Sequence, residues 1–308
     1  MDSKLVLIAL GGNALIRKGQ RGTAEEQFAN LNIPMRQIAR LSRTHRLVIT
    51  HGNGPQVGNL LLQQESCREV PSMPLEIIVA MTQGQIGYMI EASLDEALME
   101  IGVMSEQLFV SLISYVVVDP EDPAFRHPTK PIGPVYTEEE ARRLPYPTVR
   151  TDKGFRRVVA SPRPLSIVEH REIKHLLAAG FIVICCGGGG IPVVRGERTF
   201  RGVDAVIDKD LASAVLAADL PADLFVIATD VPGIFLDHGT PQARLLGEVR
   251  AEELARHHAR GQFPAGSMGP KVEAILQFHR QTGNPAVICR LEEIEPAVRG
   301  AAGTRVVA

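Results

Sequence analysis

Four consecutive glycines, Gly187-Gly188-Gly189-Gly190, directly follow the apolar run 181–186, and Asp208-Lys209-Asp210 opens an apolar helical pattern further on. Residues without side chains let a bulky, charged ligand come down onto the backbone. Two other turns have a similar makeup. Gly11-Gly12-Asn13 follows the apolar residues 4–10, and His51-Gly52-Asn53-Gly54-Pro55 follows the run 46–50. Pro55 suits a first helical position, since its missing N–H would be unpaired there anyway. The second turn therefore aims a helix N-terminus at the gap, where free N–H groups and the helix dipole favour negative charge. Two further lysines stand in constrained places. Prolines on both sides fix the direction of Lys130 in Pro128-Thr129-Lys130-Pro131. Lys271 follows Pro270, which fits a first helical position, so Lys271 falls in the first turn. A cation there opposes the dipole by roughly 0.3–1 kcal/mol, a penalty that a bound anion would reverse. Anion binding, phosphate included, is the chemistry these residues suit. Each also has a plainer reading, as tight βα turns, a solvated cap and surface lysines.

The spacings fit none of the common nucleotide motifs. Gly52-x-Gly54 reaches its next glycine at Gly58, one residue late for the dinucleotide fingerprint, and Gly187-x-Gly189 meets Pro192 where that fingerprint needs glycine. There is no G-x-x-x-x-G-K-[ST], no G-x-S-x-G and no H-E-x-x-H. A phosphate site here would be neither a Rossmann site nor a P-loop. Cys67, Cys185, Cys186 and Cys289 form no metal or redox spacing, and Cys185-Cys186 reads as a pair of small core residues. His257-His258 reads as part of a solvated helix face.

The elements that must position these residues read as alternating strands and helices. Runs at 4–10, 46–50, 108–118, 181–186, 224–228 and 286–290 are strands, with 304–307 as a short edge segment. Continuous apolar runs suit strands covered on both faces. Helices are expected from Thr23, whose capping box closes with Glu26, and over 75–101 with Gly84 and Gly87 as weak points. Another, capped by Ser166 and Glu169, stops at Gly180. In open α/β sheets ligands bind at the carboxyl ends of strands, and the turns above fall there, as does Thr229-Asp230-Val231-Pro232-Gly233. Nine of the chain's 21 prolines lie in 119–164. A structureless connection of that length is improbable in a compact domain, so the stretch reads as a small inserted subdomain or lid.

Bulk composition narrows the classes. With 308 residues, 45% of them apolar, the chain suits one large α/β domain or two lobes around a cleft. Thirty-three basic against 35 acidic residues give a net charge of −2 with no long run of either sign. Nucleic acid and anionic membranes are thereby disfavoured as main partners, and positive charge needed for function must be local. The apolar run at 5–10 is too short for a signal-peptide core, and no window approaches a membrane span. A cytoplasmic location is expected.

Seven motifs in order make the chain resemble the carbamate kinases of the amino acid kinase superfamily, nearly from end to end. They are Ala9-Leu10-Gly11-Gly12-Asn13-Ala14, Thr50-His51-Gly52-Asn53-Gly54-Pro55-Gln56-Val57-Gly58, Ala80-Met81-Thr82-Gln83-Gly84, Pro128-Thr129-Lys130-Pro131-Ile132-Gly133-Pro134, the segment 187–192, Val206-Ile207-Asp208-Lys209-Asp210, and Gly266-Ser267-Met268-x-Pro270-Lys271-Val272-Glu273. The resemblance implies a three-layer αβα sandwich around an open, mainly parallel sheet, with a small protruding subdomain inserted at about 119–164. The whole chain would be one such domain, with the substrate half at about 1–185 and the nucleotide half at about 186–308. It implies phosphoryl transfer between ATP and carbamate, giving ADP and carbamoyl phosphate, with Mg²⁺. The usual direction in the family is toward ATP in arginine or related catabolism, and a homodimer is usual. By resemblance Lys130, Lys209 and Lys271 contact the transferring phosphate and Asp210 orients them. Gly11, Gly12, Asn13, Gly52, Asn53, Gly54, Gly187 and Gly188 would line the carbamate and phosphate side. Thr229, Asp230, Val231, Phe263, Ala265, Gly266, Ser267 and Met268 would hold the nucleotide. No residue is assigned as a metal ligand.

One departure from the wider superfamily is informative. Many relatives carry a lysine just before the first Gly-Gly, where this chain has Ala9-Leu10; in carbamate kinases the lysine of the inserted subdomain is taken to supply that charge. Two other readings stand beside this one. A sister kinase would act on another carboxylate such as N-acetylglutamate, and an inactive sensor would bind nucleotide or carbamoyl phosphate without turnover.

Overall fold

The continuous apolar runs become the middle of an eight-stranded sheet in the computed structural model, which describes residues 3–67, 69–103, 107–151, 154–264 and 266–308. The strand order is Glu248–Arg250, Thr304–Val307, Ala286–Arg290, Leu224–Thr229, Leu5–Leu10, Arg46–His51, Phe181–Ile184 and Leu108–Ser111. Every neighbouring pair is parallel except Ala286–Arg290 with Thr304–Val307. Successive side chains of a strand face opposite ways, and both faces here are covered. Leu5, Leu7 and Ala9 join a core with residues of the helices His170–Ala178, Lys209–Asp219, Ala251–Ala259 and Met268–Thr282. Val6, Ile8 and Leu10 join a second core with the helices Ala24–Ser42, Leu75–Glu100 and Ile294–Val298. The result is three layers, α, β and α, about one mainly parallel sheet.

Several local expectations change. Thr304–Val307 is an interior strand, because Glu248–Arg250 pairs along its outer side. The run 108–118 is two strands in two sheets. Leu108–Ser111 ends the main sheet, and Tyr115–Val118 joins a four-stranded sheet with Phe200–Gly202, Ile191–Arg195 and Pro164–Ile167. The break is held by Gln83, whose side chain accepts from the Ser114 amide at 2.9 Å and donates to the Ser114 carbonyl at 3.2 Å. Ser166 lies in a strand and caps nothing, while Glu169 accepts from the Tyr115 amide at 2.8 Å. Leu75–Glu100 runs unbroken through Gly84 and Gly87. Gly87 is where that helix meets Ser111, since a Cβ there would sit 2.9 Å from Ser111 Oγ. The Thr23–Glu26 capping box forms as expected. His257 and His258 are half-buried, not solvated, and the His258 ring stacks on Phe263 with centroids 6.2 Å apart.

The proline-rich stretch carries a separate three-stranded antiparallel sheet of Lys130–Tyr136, Gly154–Val159 and Thr148–Thr151. It rests on the helix Gly54–Ser66. Ile132 and Val159 share a third core with Val57 and Leu61, and a Cβ on Gly58 would lie 3.4 Å from Gly133 Cα. Glu65, at the far end of that helix, accepts from both Tyr136 and Tyr146 hydroxyls, at 3.0 and 2.9 Å.

Candidate active site

A cavity of about 680 Å³ opens at the carboxyl ends of Leu5–Leu10, Arg46–His51 and Leu224–Thr229. Gly11, Gly12 and Asn13 line it after the first strand, Gly52, Asn53 and Gly54 after the second, and Thr229 and Asp230 after the third. Two helices start at its wall. Gly54–Ser66 begins at Asn53, whose side chain is committed elsewhere, to Thr82 Oγ1 at 2.9 Å. Met268–Thr282 begins at Ser267, and neither start has a side-chain cap. Helix starts of this kind are suited to anions. The second helix starts two residues earlier than expected, so Pro270 and Lys271 are its third and fourth residues.

The glycine run has a different reason from the one its sequence suggests. Gly187–Gly189 forms a single 3-10 turn in which Gly188 has φ +66°, and all four glycines are buried. A side chain on Gly187 would run into the His51 ring, and one on Gly188 into the Asn53 amide. The neighbouring turn of the same chain therefore demands much of the glycine here. Of the four, Gly188 borders the cavity.

Three lysines from three distant segments meet at this cavity. Asp210 is buried between two of them, with Oδ1 accepting from Lys209 Nζ at 2.5 Å and Oδ2 from Lys271 Nζ at 2.8 Å. Asp208 is the helix cap: Oδ1 accepts from the Asp210 amide at 3.0 Å and the Leu211 amide at 3.4 Å. Its Oδ2 accepts from Lys130 Nζ at 3.0 Å, which brings the inserted sheet to the site. Three ammonium groups face two carboxylates, so the cluster keeps one net positive charge in a chain that is slightly negative as a whole. Behind it, Ser213 bonds the Lys209 carbonyl at 2.6 Å and Thr50 at 2.7 Å, fixing the helix start to the central sheet.

Burial by itself would raise the Asp210 carboxyl, but the two ammonium groups outweigh it and hold Asp210 well below the usual carboxylate range. Burial by itself would likewise lower Lys271; the charge and hydrogen bond of Asp210 outweigh that, and Lys271 ends above its ordinary value. Lys209 ends below its ordinary value, through burial first and with the charge of Lys271 adding to it, against the pull of Asp210. His51 is pushed down to about 4, chiefly by burial, and so is neutral at pH 7.

Of the expected site residues, Gly11, Gly12, Asn13, Gly52, Asn53, Gly54, Lys130, Gly188, Lys209, Asp210, Thr229, Asp230, Gly266, Ser267 and Lys271 border this one cavity. Gly187, Val231, Phe263 and Met268 stand outside its lining; Phe263 is a buried core side chain. Ala265 lies outside the described residues. Sequence reasoning missed three participants. Asp208 is the partner of Lys130, and its place beside Lys209 was the available signal. His51 backs the glycine turn from within a motif already noticed. Arg156 borders the cavity from the strand Gly154–Val159, which carried no signal.

The profile of the Amino acid kinase family matches residues 4–290. The chain belongs to the amino acid kinase family. Relatives at high identity over almost the whole length agree with this placement. A carbamate kinase of Haemophilus influenzae is 49% identical over 98% of this chain and 96% of its own, and one of Pyrococcus furiosus is 47% identical over 98% and 99%. Among solved structures, the carbamate kinase of Giardia lamblia bound to AMP-PNP superposes with a TM-score of 0.92 at 40% identity, covering 99% of both chains. An N-acetylglutamate synthase of Neisseria gonorrhoeae shares the fold alone, at a TM-score of 0.60 and 16% identity. Among the described residues no helix is long and apolar enough to cross a membrane.

Proposed function

We propose that the protein is a kinase that moves a phosphoryl group reversibly between ATP and carbamate, forming ADP and carbamoyl phosphate. The observation that carries this is the meeting of Lys130, Lys209 and Lys271 at one cavity, two of them held by a buried Asp210. Phosphoryl transfer asks for little covalent chemistry from the protein. Its needs are to bring two anions together and to meet charge spread over the transferring group. The two uncapped helix starts suit one anion each. In this reading the acyl substrate lies toward Gly52–Gly54 and residues 1–185, and the nucleotide toward Thr229, Asp230, Gly266 and Ser267 in residues 186–308. Carbamate is already an anion, so no base must deprotonate it before it attacks phosphorus. His51, buried with its ring against Gly187, agrees with the lack of a base.

Mg²⁺ fits this site as a companion of the nucleotide. Asp208 and Asp210 are occupied by lysines, no cluster of three ligating side chains exists among the described residues, and Asp230 borders the cavity outside those ion pairs. Mg²⁺ commonly binds through one or two carboxylates plus substrate phosphates. Bound there, it would neutralise phosphate charge, with Asp230 as the protein ligand.

A coupled assay that reports ATP from ADP and carbamoyl phosphate tests the function. Turnover of another carboxylate with ATP, and none of carbamoyl phosphate, would overturn it. The expected homodimer has a candidate face in Ile77, Met81 and Tyr88, which are 43%, 46% and 66% exposed along one side of Leu75–Glu100. Met81→Lys is expected to shift the sedimenting mass from two chains to one; an unchanged mass would remove this face from consideration.

A further inference from the structure

The inserted sheet brings a second cation to the cavity. Arg156 borders it, half-buried, and makes no ion pair with a described carboxylate. Its guanidinium donates through Nε at 3.2 Å and Nη2 at 3.0 Å to one acceptor, the Gly133 carbonyl. A guanidinium has five N–H donors, so three are left for a ligand. The adjacent Arg157 is different. It lies 4.7 Å over the Tyr146 ring and reaches Asp204 at 3.4 Å. One arginine of the pair is thus used by the fold, and the other is turned to the cavity. Gly133 has φ +70° at an irregularity in the pairing of Lys130–Tyr136 with Gly154–Val159, so Arg156 is held at the place where the strand is bent.

Arg156 shares the cavity wall with Lys130 and with Gly54 and Pro55 at the uncapped start of Gly54–Ser66. Thr229 and Asp230, at the end of the strand Leu224–Thr229, and Gly266 and Ser267, ahead of the helix Met268–Thr282, enter from other segments. We propose that Arg156 is a further substrate-binding residue, whose guanidinium takes an anionic oxygen of the acyl substrate, carbamate or the phosphate of carbamoyl phosphate. A planar fork of donors matches such oxygens and stays charged when partly buried. The proposal rests on the phosphotransferase reading above.

The test compares Arg156→Gln and Arg156→Lys with the wild type, using the full chain and far-UV circular dichroism to check folding. For Arg156→Gln the KM for carbamoyl phosphate is expected to rise about tenfold to a hundredfold, the range for losing a hydrogen bond to a charged group. The KM for ADP should stay within about twofold, and Arg156→Lys should fall between the other two. If Arg156 serves only to hold the Gly133 carbonyl, lysine and glutamine will lose alike and the two KM values will move together. That result overturns the proposal. Titration of inorganic phosphate by calorimetry, without nucleotide, is the second readout: the wild type binds and Arg156→Gln binds at least about tenfold more weakly. Equal binding, or none by the wild type, overturns the assignment. Should the wild type turn over no carbamoyl phosphate, the functional reading fails by itself, and the phosphate titration still decides Arg156. Should Arg156→Gln not fold, Arg156→Lys carries both comparisons.

Discussion

Replacing Asp210 by Asn removes one charge and leaves nearly the same shape. In the wild type its carboxylate takes a hydrogen bond from each of Lys209 and Lys271, at 2.5 and 2.8 Å. Hydrogen bonds to charged groups contribute roughly 1.5–3 kcal/mol each. An amide oxygen keeps one of the two at neutral strength, and its NH₂ faces the other ammonium. The loss of positioning is therefore on the order of 2–4 kcal/mol, or about 30- to 1,000-fold in kcat/KM. A second effect has a definite sign. Lys209 is pushed down by burial and by Lys271, and Asp210 pulls against both. Without that pull Lys209 falls further, so the charged form it needs is lost at lower pH. The coupled ATP-forming assay, run from neutral to alkaline pH as kcat/KM, reports groups of the free enzyme. The alkaline limb of Asp210→Asn should move toward neutral relative to the wild type. Activity within about threefold of wild type, with an unmoved alkaline limb, would refute the claim that Asp210 holds the lysines for their task.

Lys130→Ala should lose about 10²–10³ in kcat with little change in urea stability, because its pair with Asp208 is 39% exposed on the lysine side and 16% on the aspartate side, and partly solvated pairs contribute about 0–1 kcal/mol. Near wild-type turnover would show that the insert does not complete the site. The His51 value of about 4 lies below the roughly 6.5 of an unfolded chain. Its contribution is then fully present above pH 6.5 and is lost as pH falls toward 4, because the unfolded chain takes up a proton that the native state resists. Urea titrations should show His51→Gln with a flatter stability–pH curve across that window, by on the order of 3 kcal/mol; parallel curves would refute it.

Sequence alone carried the sheet ends well, for a physical reason. A strand covered on both faces is mostly apolar, and the turn after it must be small, so the runs 4–10 and 46–50 with the glycines that follow are visible without coordinates, within one residue of the observed Leu5–Leu10 and Arg46–His51. What escaped depends on partners distant in the chain. The division of 108–118 is made by Gln83 from the preceding helix, and no local pattern signals it. Whether Thr304–Val307 is edge or interior depends on Glu248–Arg250, a strand of three residues with one buried side chain. Proline density set the stretch 119–164 apart, but the strands of the separate sheet found there are only half-covered and carry no clean alternation. The lysines were legible as types, and their convergence was supplied by resemblance. Phe263 marks the limit of that help: a motif carries a position across, while the direction of the ring is set by His258 and the core.

The Asp208 carboxylate has one consequence for how a ligand would be received. One oxygen is tied into the helix start, and the other parks Lys130 in a partly exposed pair. Lys209 and Lys271 are gripped by a buried carboxylate and already stand in place. Lys130 is instead on loan. In the proposed reaction an arriving phosphate would compete with Asp208 for Lys130, and the pair given up is only partly solvated, 39% exposed on the lysine side and 16% on the aspartate side. Two cations would then act as a fixed anvil and the third as an exchangeable hand, so affinity and capture can be tuned separately, by Asp210 and by Asp208.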